Sequence, residues 1–365
     1  MAWAKPLYSR DKINLAGNLL IGNPAPGLSV DLAFDIINNW RASHNFPLNT
    51  FQTRLRRIAK SVDSNCIVAQ RIKRLSSIEH KLQRFPKMKL SQIQDIGGCR
   101  AILSTVKDVD ELVKLYVQQS RGVKHALEKE TNYILKPPIS GYRGVHLIYK
   151  YKSDKNQDYE NLKIEIQIRT FLQHAWATAV ETVSTFFRQA LKSSQGDEDW
   201  LRFFKLMGSV MAIQENRPLI PETPVKYNIL RREIVSLERK LNVIAHLQTF
   251  RDSLSVFDEE RDIKEAHYYL LELDVSSRRI LIRSYQQNEL TKASEDYLTA
   301  ERKNTSNFLL DTVLVSADSL EKLKLAYPNY YLDTDLFLQC VRDVIKRRSH
   351  AFFEPTFRQG EFHFK

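Results

Sequence analysis

Apolar positions recur every three or four residues over 29–44 (Leu32, Ile36, Ile37, Trp40) and again over 48–63 (Phe51, Leu55, Ile58). That period predicts two amphipathic helices, the first with Ser29 or Asp31 as its cap. "CIVAQRIKRL" at 66–75 is a short apolar run that turns basic, and "SSIEHKLQRF" at 76–85 reads as a helix with Ser76 as candidate N-cap. "GCRAILST" at 98–105 predicts a strand and "VDELVKLYVQQS" at 109–120 the helix after it. Alternation of apolar and polar residues at 145–151 and 162–168 predicts two more strands. The segment 170–191 then returns to helical spacing, with Trp176, Val180, Val183, Phe187 and Ala190 as its buried stripe, and 199–214 predicts a further apolar helix.

Three prolines in "ENRPLIPETP", 215–224, stop any helix and mark a domain boundary. Beyond it, Ile234, Leu237, Leu241, Ile244, Leu247 and Leu254 predict one amphipathic helix of about 30 residues. Two strand-like runs follow (267–275 and 278–285), then a polar helix (289–304). The stretch 311–345 reads as strand, helix, short strand, helix. The expected organisation is an N-terminal arm at 1–28, an α+β domain at 29–218, a helical stalk at 225–260 and a small α+β module at 261–365. About five strands, flanked by helices, are expected in the main sheet.

Charge changes this picture. The net charge is +12, which suits polyanionic partners. Cys66, Cys99 and Cys340 are far apart and form neither a metal pattern nor a disulfide framework, as expected of a chain in a reducing cytoplasm. The N-terminal residues lack an apolar signal core, and no run approaches the ~18 apolar residues of a membrane span.

Between Arg54 and Lys89, eleven Lys and Arg face two acids. Arg71 and Lys73 share a side of an extended segment, and Ser77, Lys81 and Arg84 share a helix face. Such a cluster is either a solvated basic face or a triphosphate site. Asp95 precedes a glycine pair; it is either a turn residue or a carboxylate presented to Mg2+ at a sheet edge. Arg100, five residues on, is placed to stack on a base. Gly141 and Gly144 flank Tyr142 and Arg143 in an ordinary hairpin turn, or in a loop that offers an aromatic ring to a nucleobase. In "KIEIQIRT", Lys163, Glu165, Gln167 and Arg169 share one strand face, and a carboxylate there suits metal ligation or acceptance of a hydroxyl proton.

In order, R-x-K-x-x-x-S-I-x-x-K, D-I-x-G-x-R, G-Y-x-x-x-H and E-I-Q-I-R-T resemble the synthetase domain of the RelA/SpoT alarmone family over roughly residues 50–190. The resemblance implies a nucleotidyltransferase-like mixed sheet and transfer of pyrophosphate from ATP to a ribose 3′-hydroxyl. It implies that Arg71, Lys73, Ser77, Lys81, Arg84 and Arg100 hold ATP. Asp95 and Glu165 would bind Mg2+ and carry the catalysis. Tyr142, His146, Gln167, Arg169 and His174 would shape the acceptor side. His174 stands where many members have asparagine, and Gly144 where serine is common, so the acceptor is GDP or GTP, or alternatively the 3′ end of tRNA, as in toxin-type relatives. A catalytically inert nucleotide- or RNA-binding protein is the remaining alternative. No histidine is followed by aspartate, so no hydrolase domain is expected. A synthetase without one needs restraint, and the C-terminal residues 225–365 are expected to meet a neutralising or sensing protein partner, to control access to the site, or to form a homo-oligomer. No membrane association is expected.

Overall fold

The first helix is set by a cap the sequence pattern left unread. Ser9 Oγ accepts the Lys12 amide at 3.4 Å, and α1 runs Arg10–Leu20 with Ile13, Ala16 and Gly17 buried. Residues expected to be an irregular arm therefore contribute a helix to the core. Helices α2 (Val30–Ser43), capped by Ser29, and α3 (Asn45–Val62) follow the predicted spacing. The computed structural model describes residues 3–118, 125–153, 157–190, 197–252, 255–258, 266–274, 276–304, 310–317, 323–324, 327 and 334–346.

Strand β1 is Ile67–Ile72, and α4 (Leu75–Arg84) starts directly on buried Leu75, so Ser76 lies inside the helix and Arg74 takes the cap position. After it come β2 (Gly97–Leu103), α5 (Val106–Gln118), β3 (Ala126–Asn132), β4 (Val145–Lys150) and β5 (Lys163–Thr170). Two helices complete the first half, α6 (Phe171–Ala190) and α7 (Asp197–Gln214). The single long helix expected next is divided: Asn242 adopts left-handed φ of 48° and ends α8 (Tyr227–Leu241) before α9 (Val243–Asp252) begins. The chain continues through β6 (Ser255–Asp258), β7 (Ala266–Asp274), β8 (Arg279–Gln286), α10 (Leu290–Asn304), β9 (Leu310–Ser316) and α11 (Asp335–Ile345). The helix and short strand expected between residues 317 and 334 lie largely outside the described residues.

The fold is α+β. Among the described residues, one mixed sheet of nine strands has the order β3-β4-β5-β2-β1-β9-β7-β8-β6, with β2–β5 and β6–β8 parallel. Residues 29–218 supply the five strands expected, β1–β5, and four more come from beyond residue 225. Strand β3, "ALEKETN", is largely exposed and carries no apolar alternation. The strands beyond residue 225 join the sheet, because β9 pairs with β1 at Gln70–Ser316 and Arg71–Val315. The sheet thus runs without interruption across the proline-rich break.

The sheet's two faces differ. Ile164, Ile166 and Ile168 of β5, with Cys99, Ala101 and Leu103 of β2, pack under α1–α3 and α5. The opposite face is apolar toward β7 and β9, where Tyr269, Leu271, Val313 and Val315 cluster with Ile67 and Ala69. It turns polar toward β5 and β4. A third cluster joins α6 and α7 to α8, α9 and α11 around Trp176, Phe203, Met207 and Phe337.

Candidate active site

Register builds the site. The parallel pairing of β5 with β2 sets Glu165 beside Gly98 and Gln167 beside Arg100. The β1–β2 ladder sets Arg71 beside Gly98, and the β4–β5 ladder sets His146 beside Gln167. Two cross-strand rows result on the polar face: His146–Gln167–Arg100 and Glu165–Gly98–Arg71. The Lys73 amide donates to Ile96 O at 2.8 Å, which brings Lys73 level with Asp95 beyond the strand ends.

Asp95 is the hub of the basic side. Lys73 Nζ donates to Oδ2 at 2.7 Å and Lys81 Nζ to Oδ1 at 2.9 Å. Burial alone would favour the neutral acid, but the two cations overcome it and hold the Asp95 carboxyl down at about 2. Burial draws the Lys73 ammonium below its ordinary value despite Asp95, with Arg71 and Lys81 adding to the effect. The Glu165 carboxyl is likewise held below the usual range. Burial and the Asp95 charge push it up, but hydrogen bonds from His146 and Gln167 prevail. His146 Nδ1 lies 3.1 Å from Glu165 Oε1, Gln167 Nε2 donates to Oε2 at 2.7 Å, and Tyr142 OH is 2.7 Å from His146 Nε2. With Nδ1–H donating to the carboxylate, Nε2 accepts from the phenol. The result is a Tyr142–His146–Glu165 relay.

Two adjoining clefts share the Arg100–Gln167 wall. The first spans about 370 Å³, open solvent included, and is lined by Arg71, Lys73, Asp95, Arg100, Glu165 and Tyr327, among others. Gly98 also lines it; an added Cβ there would find nothing nearer than Arg71 O at 4.0 Å, so a ligand can approach this backbone. The second, about 720 Å³, is lined by Tyr142, His146, Arg169, His174, Trp176 and Glu181, among others. Thr170 and Gln173 exchange hydrogen bonds across the start of α6, a capping box that fixes the strand-to-helix turn. On that turn Arg169 Nη2 donates to His174 Nδ1 at 2.5 Å. Arg169, buried beside Arg100, has its guanidinium pulled down to about 9, chiefly by desolvation.

Most residues singled out from the sequence therefore meet around these two clefts. Ser77, Lys81 and Arg84 do not line either; Lys81 meets the site through Asp95, and Arg84 is exposed, its guanidinium over the Phe85 ring. Nor is the basic stretch one surface: Arg54 lies over the Tyr116 ring and donates to Tyr116 O. Tyr142 is a member of the relay, edge-on to Tyr133 and His146. Sequence reasoning missed Tyr327. It is 2% exposed, donates from its hydroxyl to Gln70 O at 3.0 Å and lies under the Arg100 guanidinium, 5.6 Å from ring centroid to Cζ. Nothing local in "KLAYPNYY" marks it; Tyr327 reaches the cleft beside β1, the strand that pairs with β9.

Asp95 and Glu165 supply the one or two carboxylates that magnesium takes alongside phosphate oxygens and water. Among the described residues no group of three or more His, Cys, Asp or Glu could form an all-protein metal cage. Asp95 and Glu165, whose oxygens also accept from Lys73, Lys81, His146 and Gln167, are the residues that would hold Mg2+, with substrate oxygens completing its ligands. No described helix is long and apolar enough to cross a membrane.

Comparison with known proteins gives the same segment. The family described as "Region found in RelA / SpoT proteins" matches residues 70–187. GTP pyrophosphokinase YwaC of Bacillus subtilis is 34% identical over 113 residues, 30% of this chain and 52% of that protein. GTP pyrophosphokinase YjbM of the same organism is 32% identical over 115 residues, again 30% and 52%. The chain thus spans about half the length of these curated relatives. The crystal structure of small alarmone synthetase 2 from B. subtilis is 25% identical, with a TM-score of 0.42, and the match covers 49% of this chain and 94% of that one. The motif order, the family match and the curated relatives agree that residues 70–187 are similar to the region found in RelA/SpoT proteins.

Proposed function

We propose that the protein is a pyrophosphokinase that transfers the β,γ-pyrophosphate of ATP to the ribose 3′-hydroxyl of GDP or GTP. The observation that carries this reading is the convergence of Asp95 and Glu165 on one cleft with Arg71, Lys73 and Arg100. ATP lies in the smaller cleft, its phosphates toward Arg71, Lys73 and Lys81 and its base against Arg100. The acceptor lies in the larger one, against Tyr142, His146, Arg169 and His174. Magnesium, when bound by Asp95 and Glu165, screens charge on the phosphate oxygens. The acceptor 3′-oxygen attacks the β-phosphorus, and the bond from that phosphorus to the α,β-bridging oxygen breaks. AMP leaves with the bridging oxygen. The hydroxyl proton passes to Glu165, whose ionised state suits it as acceptor, and His146 and Tyr142 hold the carboxylate in place. Positioning and charge supply the rate, since phosphoryl transfer asks little covalent chemistry of the protein.

The C-terminal residues 225–365, in this reading, control access to the ATP cleft. Tyr327 supports this, because its ring occupies the face of Arg100 that the base would use.

The test is incubation with γ-labelled ATP and either GTP or deacylated tRNA. Label on GDP or GTP supports the proposal. Label on the tRNA 3′ end alone would replace the acceptor with tRNA, a reading favoured by the wide acceptor cleft and by His174 paired to Arg169. Equal label with wild type and Glu165→Gln would remove Glu165 from the chemistry, and no label on either acceptor would end the enzymatic reading.

A further inference from the structure

Arg41, on the buried side of α2, is 2% exposed. Its guanidinium is fully engaged. Nε donates to Lys73 O at 3.0 Å, Nη1 to Asn38 Oδ1 at 3.1 Å and to Glu301 Oε2 at 2.6 Å. Nη2 donates to Glu301 Oε1 at 3.2 Å and to the Tyr297 hydroxyl. Glu301 belongs to α10, more than 250 residues along the chain. Its Oε1 also accepts the Leu75 amide at 2.7 Å and the Tyr297 hydroxyl at 2.8 Å.

The backbone partners give the cluster its meaning. Leu75 is the first residue of α4, and Arg74 at the cap position makes no side-chain cap bond. The first amides of a helix need acceptors. Glu301 supplies one from outside, with a charge that suits a helix N-terminus. Arg41 meanwhile grips the carbonyl of Lys73. The pair thus clamps both sides of Arg74, the single residue between Lys73 and α4. That helix carries Lys81, and both lysine ammoniums converge on Asp95.

We propose that Arg41 and Glu301 are positioning residues for ATP: they fix the Lys73–Leu75 turn, and with it the spacing of Lys73 and Lys81 at the phosphates. This inference rests on the pyrophosphokinase reading. A buried Arg–Glu pair adds little stability over apolar side chains of similar volume. What apolar side chains cannot do is satisfy Lys73 O and the Leu75 amide. The C-terminal half is on this account a working part of the ATP site.

The experiment uses the full chain with the double substitution Arg41→Met/Glu301→Met and the single substitution Glu301→Gln. Thermal unfolding, Leu75 amide exchange, calorimetric binding of α,β-methylene ATP, and the KM for ATP and acceptor are measured. The double variant is expected to unfold within a few degrees of wild type. Its Leu75 amide should exchange at least tenfold faster, and its analogue Kd and ATP KM should rise about tenfold. The acceptor KM should stay unchanged. Glu301→Gln, which keeps an oxygen for Leu75, should lose about threefold. A folded double variant that binds the analogue as tightly as wild type overturns the inference. So does a Glu301→Gln variant that fails to fold, since the pair is then a folding element. Wild type that binds the analogue yet transfers no label removes the functional reading alone, and the analogue Kd still decides the positioning role.

Discussion

If Tyr327 and the adenine of ATP compete for Arg100, removing the tyrosine ring must strengthen ATP binding even as it weakens the fold. The contact over Arg100 is worth about 1 kcal/mol and the bond to Gln70 O about 1 kcal/mol. Exposing the buried ring costs about 2 kcal/mol more. Against this, a segment released from the cleft regains about 1–2 kcal/mol of conformational freedom per residue freed. With Tyr327 alone freed, at the upper figure, a net gap of about 2 kcal/mol in favour of the docked ring remains, which reduces apparent ATP affinity about thirtyfold. Tyr327→Ala should therefore lower the ATP KM by about that factor and leave the acceptor KM unchanged. It should also lower the melting temperature, since Tyr327 packs with Val315, Ala317 and Leu323. Tyr327→Phe keeps the ring and loses the hydroxyl, so its ATP KM should fall only about fivefold. Initial rates over an ATP series, with circular dichroism to verify folding, decide the matter. An ATP KM that stays constant or rises in a folded Tyr327→Ala protein would refute the competition.

Glu165→Gln preserves shape but removes the charge between His146 and Gln167; turnover should fall by roughly 10²–10⁴ with little change in melting temperature, read by label transfer. Gly98→Ala meets no atom nearer than 4.0 Å, so the protein should fold normally while the methyl group enters the ATP cleft and raises the ATP KM. Unchanged kinetics would show that no ligand approaches this strand. His44 donates from Nδ1 to Trp40 O at 2.7 Å, and burial holds its pKa down at about 4, against an ordinary 6.5. Between those values the unfolded chain takes up a proton that the fold refuses. The neutral ring's contribution is fully present above pH 6.5 and is lost as pH falls toward 4, amounting to about 2 kcal/mol between pH 7 and 5. Urea unfolding at the two pH values should show that loss in wild type and a smaller one in His44→Gln; equal losses would disprove the assignment.

The polar wall of the site was legible because strand alternation is a period-two code. Glu165, Gln167 and Arg169 had to share a face, and the isoleucines between them had to be core. Arg71 and Lys73 were legible for the same reason. Their meeting with Asp95 and Arg100 was legible only through the family resemblance, because ladder register is a property of two segments together. Helix ends were read where a side chain caps them, as at Ser29, and misread where the partner is distant. The α4 start is the clearest case: the sequence offers Ser76 nearby, yet the acceptor is Glu301 on α10. Asn242 illustrates the other limit. The apolar period continues through it, and only a left-handed backbone angle divides the helix.

The same separation explains why the C-terminal half carried no visible chemistry. Its strands read as a module with its own core, and Tyr327 and Glu301 look like ordinary residues within it. Yet β9 lies against β1, the strand that carries Arg71, so what is attached to β9 comes close to the cleft proposed for ATP. Two contacts of opposite sense follow from that one pairing. Glu301 braces the phosphate-binding turn, while Tyr327 occupies the face of Arg100. Deleting the C-terminal half would remove brace and plug together, and their effects on ATP affinity would partly cancel. Only point substitutions at 301 and 327 separate them. Opposite shifts in ATP KM from those two positions, at constant acceptor KM, are what a regulatory half built into the site requires.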